Sequence, residues 1–168
     1  EGKQYATFLR SKTRDGANPE TLLDVNEMAK GFKFYSVGAF EVSDDGNVLA
    51  YSTDTTGYRQ YTLQFKDLRT GSILPEKIER VTSTEWSADG KYFFYGQEDA
   101  VSKRSDKIYR HTVGTTDADA LIYEEKHVLF NSGIGRKKKK KMMFISSGAA
   151  TMTEFRYLSA DTPLGEWK

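Results

Sequence analysis

Two stretches, FEVSDDGNVLAYSTD (Phe40–Asp54) and TEWSADGKYFFYGQE (Thr84–Glu98), decide how the rest of this sequence is read. Each has an apolar or aromatic residue, a Ser, an acidic-Gly turn, then four mostly apolar residues ending at Tyr51 or Tyr95. Asp45-Gly46 and Asp89-Gly90 have a mechanical reason to be there. A tight hairpin between alternating strands needs positive φ, which Gly adopts without steric cost. A third copy falls at GIGRKKKKKMMFISS (Gly133–Ser147), with Ile145 in the place of the tyrosines and Lys139-Lys140 in the place of the turn. Lysine disfavours left-handed backbone, so this turn is expected to be looser or longer than the other two.

A second pattern interleaves with the first. YTLQFKDLRTGSILP (Tyr61–Pro75) alternates, turns at Thr70-Gly71 and returns; KIYRHTVGTTDADALIYEE (Lys107–Glu125) does the same around Gly114 and Asp117–Asp119. EFRYLSADTPLGEWK (Glu154–Lys168) begins another, and YATFLRSKTRDGANPETLLDVN (Tyr5–Asn26) turns at Asp15-Gly16 and returns near Val25. Each unit is an inner hairpin followed by an outer one, four short strands in about 45 residues, the period of a β-propeller blade. The fold class expected is therefore all-β: a partial β-propeller of about three four-stranded blades in antiparallel meander.

Residues 1–168 read as one segment of a propeller domain. It divides into an outer hairpin at 5–26 and blades at 38–78, 82–125 and 132–168, the last incomplete at its end. The connection Leu23–Phe40 is predicted to hold a short helical turn near Asn26–Lys30, ended by Gly31. Three blades fall below the usual minimum of about four for a closed ring, and the chain opens EGKQYATF, already alternating and without Met. Both features lead us to expect a segment of a longer protein, with open blade edges that invite self-association.

Composition narrows the function classes. Lys plus Arg total 25 against 24 Asp plus Glu, a balance that argues against a dedicated nucleic-acid binder. With Cys at 0, disulfides, thiolate metal sites and cysteine nucleophiles are excluded. No apolar run is long enough to span a bilayer as a helix, and no leading stretch reads as a signal peptide, so no membrane partner is expected. Tyr and Phe at 10 each against 3 Pro favour strands.

With the blades laid out, the sequence resembles the prolyl oligopeptidase family of serine peptidases, most closely its oligopeptidase B branch. The likeness is carried by EGKQY at the start, YSVGAFEVSDDGNVLAYSTDTTG (Tyr35–Gly57), YTLQFKDLRTG (Tyr61–Gly71), WSADGKYFFY (Trp86–Tyr95), KIYRHTVGT (Lys107–Thr115) and FRYLSADTPLGEW (Phe155–Trp167). The resemblance implies a seven-bladed N-terminal propeller capping an α/β-hydrolase domain of the same parent chain. That parent would be a serine-type endopeptidase cleaving oligopeptides after basic residues, with the propeller restricting access to short peptides. The alternative is an independent propeller-like binding or scaffold module without enzymatic activity, since fold alone does not fix function.

Catalytic residues expected in this segment: none. No Gly-x-Ser-x-Gly elbow occurs, so the segment should be inactive alone. His111 shares a strand face with Tyr109 by alternation, and His127 sits in or after a return strand; without a nucleophile elbow they do not read as a catalytic pair. The acidic residues Asp44, Asp45, Glu98, Asp99, Asp117, Asp119, Glu124 and Glu125 read as turn formers and solvated edges. Asp117 and Asp119 lack calcium-loop spacing, and clustered zinc ligands are missing, so neither metal nor cofactor is expected. Trp86, Phe93, Phe94 and Tyr95 read as packing between blades. The lysine run 137–141 reads as a charged hairpin tip more than as an import signal or anion patch. The location expected is cytoplasmic, with the periplasm as the alternative.

Overall fold

The computed structural model describes residues 4–137, 139 and 141–168. Lys138 and Lys140 of the lysine run, and with them the expected Lys139-Lys140 turn, lie outside the described residues, as do the first three residues of EGKQY.

The structure is all-β, built from antiparallel sheets. β1 (Thr7–Arg10) pairs with β2 (Glu20–Asp24). The next sheet runs β3 (Ser36–Val42), β4 (Val48–Asp54), β5 (Thr62–Asp67). It is followed by β6 (Val81–Trp86), β7 (Tyr92–Glu98), β8 (Ser105–Thr112), β9 (Ala120–Glu124). The last comprises β10 (Asn131–Arg136), β11 (Met142–Ala149), β12 (Met152–Ser159). Among the described residues, only the middle sheet has four regular strands. In the sheet before it, the fourth position is reduced to the bridges Leu63↔Ile78 and Lys66↔Ile73. Pro75 stands between these bridges and has no N–H to give a ladder. In the last sheet the fourth position is marked by Tyr157 and Lys168, whose amides and carbonyls exchange bonds of 2.9 and 3.0 Å.

The turns follow the sequence closely. Gly46 and Gly90 take φ of +77° and +66°, and in both turns a Ser hydroxyl donates to the Asp: Ser43 to Asp45, and Ser87 to Asp89, each at 2.6 Å. The short helix α1 (Val25–Met28) starts and ends earlier than expected. The Asp24 carboxylate accepts from the Asn26 amide at 3.0 Å, capping the helix one residue sooner, and Ala29 closes it before Gly31 turns at φ +85°.

The core lies between sheets, not inside any one of them. Phe65 from β5 meets Trp86 and Phe93 of the next sheet edge-on, at 5.9 and 5.2 Å. The neighbouring Phe94 points to the opposite flank and joins Ile134, Met143 and Ile145, with Trp167 edge-on at 6.0 Å. A third seam joins Leu22 and Leu23 of β2 to Leu49 and Tyr51 of β4. Successive residues on a strand face opposite ways, so a strand buried on both faces must be apolar without alternation. The YFFY run of β7 is that strand.

Candidate functional site

β3, β6 and β10 come first in their sheets, and each is paired on one side only among the described strands. Their free edges make a common inner surface. It is bound together by bonds that cross from sheet to sheet. The Trp86 indole N–H donates to the Glu41 carbonyl at 3.0 Å, and the Thr84 hydroxyl donates to the Glu41 carboxylate at 2.5 Å. The Ser83 hydroxyl accepts from the Ile134 amide at 3.0 Å. Arg136, its side chain only 3% exposed, donates to the Trp86 carbonyl at 2.9 Å and to both Asp44 oxygens at 2.7 and 2.9 Å. Its Nε lies 3.7 Å from Glu85. One guanidinium thus joins the last sheet to the two large sheets before it. A planar fork of fixed donors suits that task better than an ammonium would.

A second polar cluster is built into the seam between the first two large sheets. His111 donates or accepts at 2.8 Å with Asp119 through Nδ1, and lies 3.5 Å from Glu76 through Nε2. Glu76 also accepts from the Gly114 amide at 2.6 Å, and the Tyr95 hydroxyl donates to Asp119 at 2.7 Å. Phe65 stacks on the imidazole with ring centres 5.4 Å apart. Burial works against a charged His111, but Asp119 and then Glu76 outweigh it and push the imidazole above its ordinary 6.5. Burial and the Asp119 bond push the Tyr95 phenol up as well. A cleft of about 180 Å³ borders the cluster, lined in part by Glu76, His111, Asp117 and Asp119. With carboxylates on both sides of the imidazole, the cluster is a charged latch between sheets.

The remaining residues singled out from sequence scatter. His111 lies near the end of β8, whereas His127 lies in the connection at the opposite end of the arc, against Phe130 at 4.4 Å. Glu98 pairs with Lys103 at 3.6 Å and Glu124 with Lys107 at 3.8 Å. Asp99 accepts from the Val101 and Ser102 amides, closing its turn. Glu125 is buried; burial pushes its carboxyl up, but bonds from Ser147, Tyr123 and the His127 amide hold it below the usual range. Asp45 turns its hairpin, as above. Lys137 lies over the Phe144 ring at 5.0 Å, and the Lys141 carbonyl accepts from Ala160 at 2.9 Å. Among the described residues no group of three or more His, Asp or Glu is arranged to hold a metal ion.

Sequence reading passed over Glu76 and Arg136. Glu76 carried no signal beyond following Pro75. Arg136 was hidden by the lysines after it, though its place at the end of an inner strand set it apart from them.

Sheets of three and four strands, seamed face to face with free inner edges, define an incomplete β-propeller. Residues 1–168 match the family described as "Prolyl oligopeptidase, N-terminal beta-propeller domain", and the chain belongs to that family. Dipeptidyl aminopeptidase BI of Pseudoxanthomonas mexicana is 40% identical over 96% of this chain and 25% of its own length. Protease 2 of Moraxella lacunata is 32% identical over 98% of this chain, again 25% of its own length. Among solved structures, oligopeptidase B from Leishmania major superposes with a TM-score of 0.81 at 25% identity, covering 92% of this chain and 22% of that one. The chain therefore spans about a quarter of the length of these relatives, which carry a catalytic domain after the propeller.

Proposed function

We propose that this segment forms part of the cover over the active site of an oligopeptidase B-like serine peptidase, admitting short peptides and turning folded proteins away. The observation that carries the reading is the match of residues 1–168 to the propeller domain of that family. The inner surface supports it: Arg136, Ser83 and Trp86 tie three sheets into one wall, and the packed seams leave the wall stiff. A stiff wall discriminates by size, because opening it would expose the apolar seams. Chemistry would occur on the α/β-hydrolase domain by acyl transfer through a Ser–His–Asp triad.

The 40% identity with a protein named dipeptidyl aminopeptidase supports a second reading, in which the parent removes dipeptides from a free N-terminus. Both readings are tested on the full-length protein that carries this segment. Hydrolysis of an N-blocked substrate after Arg or Lys, inhibited by a serine reagent, supports the first. Turnover that requires a free N-terminus supports the second. Absence of any serine-reagent-sensitive hydrolysis removes both in favour of a binding module.

A further inference from the structure

Carboxylates in the turns of this chain are mostly taken up by the turn itself. Asp45 accepts from the Ser43 hydroxyl and the Asn47 amide, buried Asp54 from the amides of Thr56, Gly57 and Arg59, and Asp99 from those of Val101 and Ser102. Two carboxylates beside the His111 latch keep acceptors to spare. The Glu76 side chain is only 3% exposed; Oε1 accepts from the Gly114 amide at 2.6 Å, but Oε2 is buried with no hydrogen-bond partner among the described residues. Asp117 is exposed and makes no hydrogen bond or ion pair among the described residues. Both line the same cleft of about 180 Å³, together with His111, Asp119, Lys77 and Thr116. A buried acceptor without a donor carries its whole desolvation cost, so a ligand that supplies the donor gains what the protein alone does not.

The groups already engaged decide which donor fits. One oxygen of Asp119 is taken by His111 and the other by the Tyr95 hydroxyl. Both imidazole nitrogens face carboxylates, Asp119 at 2.8 Å and Glu76 at 3.5 Å. The spare acceptors are therefore separate, one at depth on Glu76 and one at the surface on Asp117. Among the described residues no group of three His, Asp or Glu could close on a metal ion. A guanidinium needs no such convergence, because its planar fork of N–H groups reaches separated acceptors at once. Lys77 is exposed and makes no ion pair among the described residues, so the nearest cation of the chain itself does not fill this role. The cleft is smaller than the roughly 300–1,000 Å³ of pockets for whole small molecules, and suits the head group of a side chain.

We propose that this cleft, with Glu76 at depth and Asp117 at its rim, is a binding site for a guanidinium group of the kind an arginine side chain carries. The site lies within one seam of the propeller, so it does not depend on whether the parent hydrolyses peptides.

The test uses the full-length protein that carries this segment, treated with a serine reagent. Thr116→Cys places a thiol at the cleft, and its maleimide labelling is followed by peptide mapping, the segment having no Cys of its own. Methylguanidinium should slow labelling about fivefold, with half-protection at about millimolar concentration, and N-acetyl-arginine amide should do the same. Tetramethylammonium, of equal charge but without N–H groups, should leave the rate unchanged. Asp117→Asn should raise the half-protecting concentration about tenfold, and Glu76→Gln at least as much. Asp117 is exposed and has no partner to lose, so its result stands even if Glu76→Gln loosens the seam. Protection by methylguanidinium but not by the amide keeps the site and assigns it to small free guanidinium compounds. Labelling unchanged by either guanidinium compound, equal protection by tetramethylammonium, or protection unaffected by Asp117→Asn each overturns the proposal.

Discussion

Arg136 and Asp44 are 92 residues apart in sequence, yet the guanidinium holds both carboxylate oxygens at 2.7 and 2.9 Å. The contact joins β10 of the last sheet to the turn between β3 and β4, past the sheet between them. Arg136→Met keeps most of the side-chain volume and removes the fork. It should cost about 2–3 kcal/mol in denaturant unfolding, since the guanidinium's bonds to Asp44 and to the Trp86 carbonyl are lost together. Asp44→Asn retains an acceptor and should cost about 1 kcal/mol. Equal effects from the two substitutions would show that the fork geometry is immaterial.

His111 makes stability depend on pH. Its pKa is raised in the folded state, so protons bind the native chain more tightly than the unfolded one. The stabilisation is fully present below the ordinary value of 6.5 and is lost as pH rises through the raised folded value. Melting followed from pH 6 to 9 should show a decline that His111→Gln abolishes. A profile identical in both chains would rule out the imidazole as its source. Glu125 has the opposite sign: its lowered pKa gives stability that disappears as pH falls below the carboxylate range.

Two glycines in the last sheet should respond differently to alanine. At Gly148 a Cβ would collide with the Met152 carbonyl oxygen and lie 2.9 Å from the Thr153 Cα, both backbone atoms of the paired strand. At Gly133 the nearest atoms are side-chain atoms at 3.6 Å or more. Gly148→Ala should cost about 2 kcal/mol or more, and Gly133→Ala about 0.5 kcal/mol or less, measured by chemical unfolding.

β12 leaves Phe155 66% and Tyr157 44% exposed on an outer flank. The 168-residue chain should associate through that surface, and Phe155→Lys should shift it toward monomer in sedimentation at equal concentration. An unchanged mass distribution would place the contact elsewhere.

The hairpins were legible because their signal is local. Ser-x-Asp-Gly between alternating residues specifies a turn without reference to the remaining chain, and the hydroxyl-to-carboxylate bonds at Ser43 and Ser87 are its structural form. The role of Phe93 and Phe94 between sheets was also legible, because a continuous aromatic run in a short strand has no solvent side. The latch at His111 was not. It joins Glu76, Asp119 and Tyr95 from separate hairpins, and spacing alone gives no measure of their approach. The α1 boundary was missed because Asp24 caps from the last position of a strand, where alternation read it as a strand residue.

Phe93 and Phe94 stand side by side and serve different seams. A sheet that contributes to two interfaces can release neither without loosening the other. Disorder introduced at one margin of the arc should therefore spread inward one interface at a time, and the middle sheet should be the last to melt. Hydrogen exchange along the chain would then read as a gradient, slowest at β7, and this segment would behave less like a set of separate sheets than like a row of shared joints.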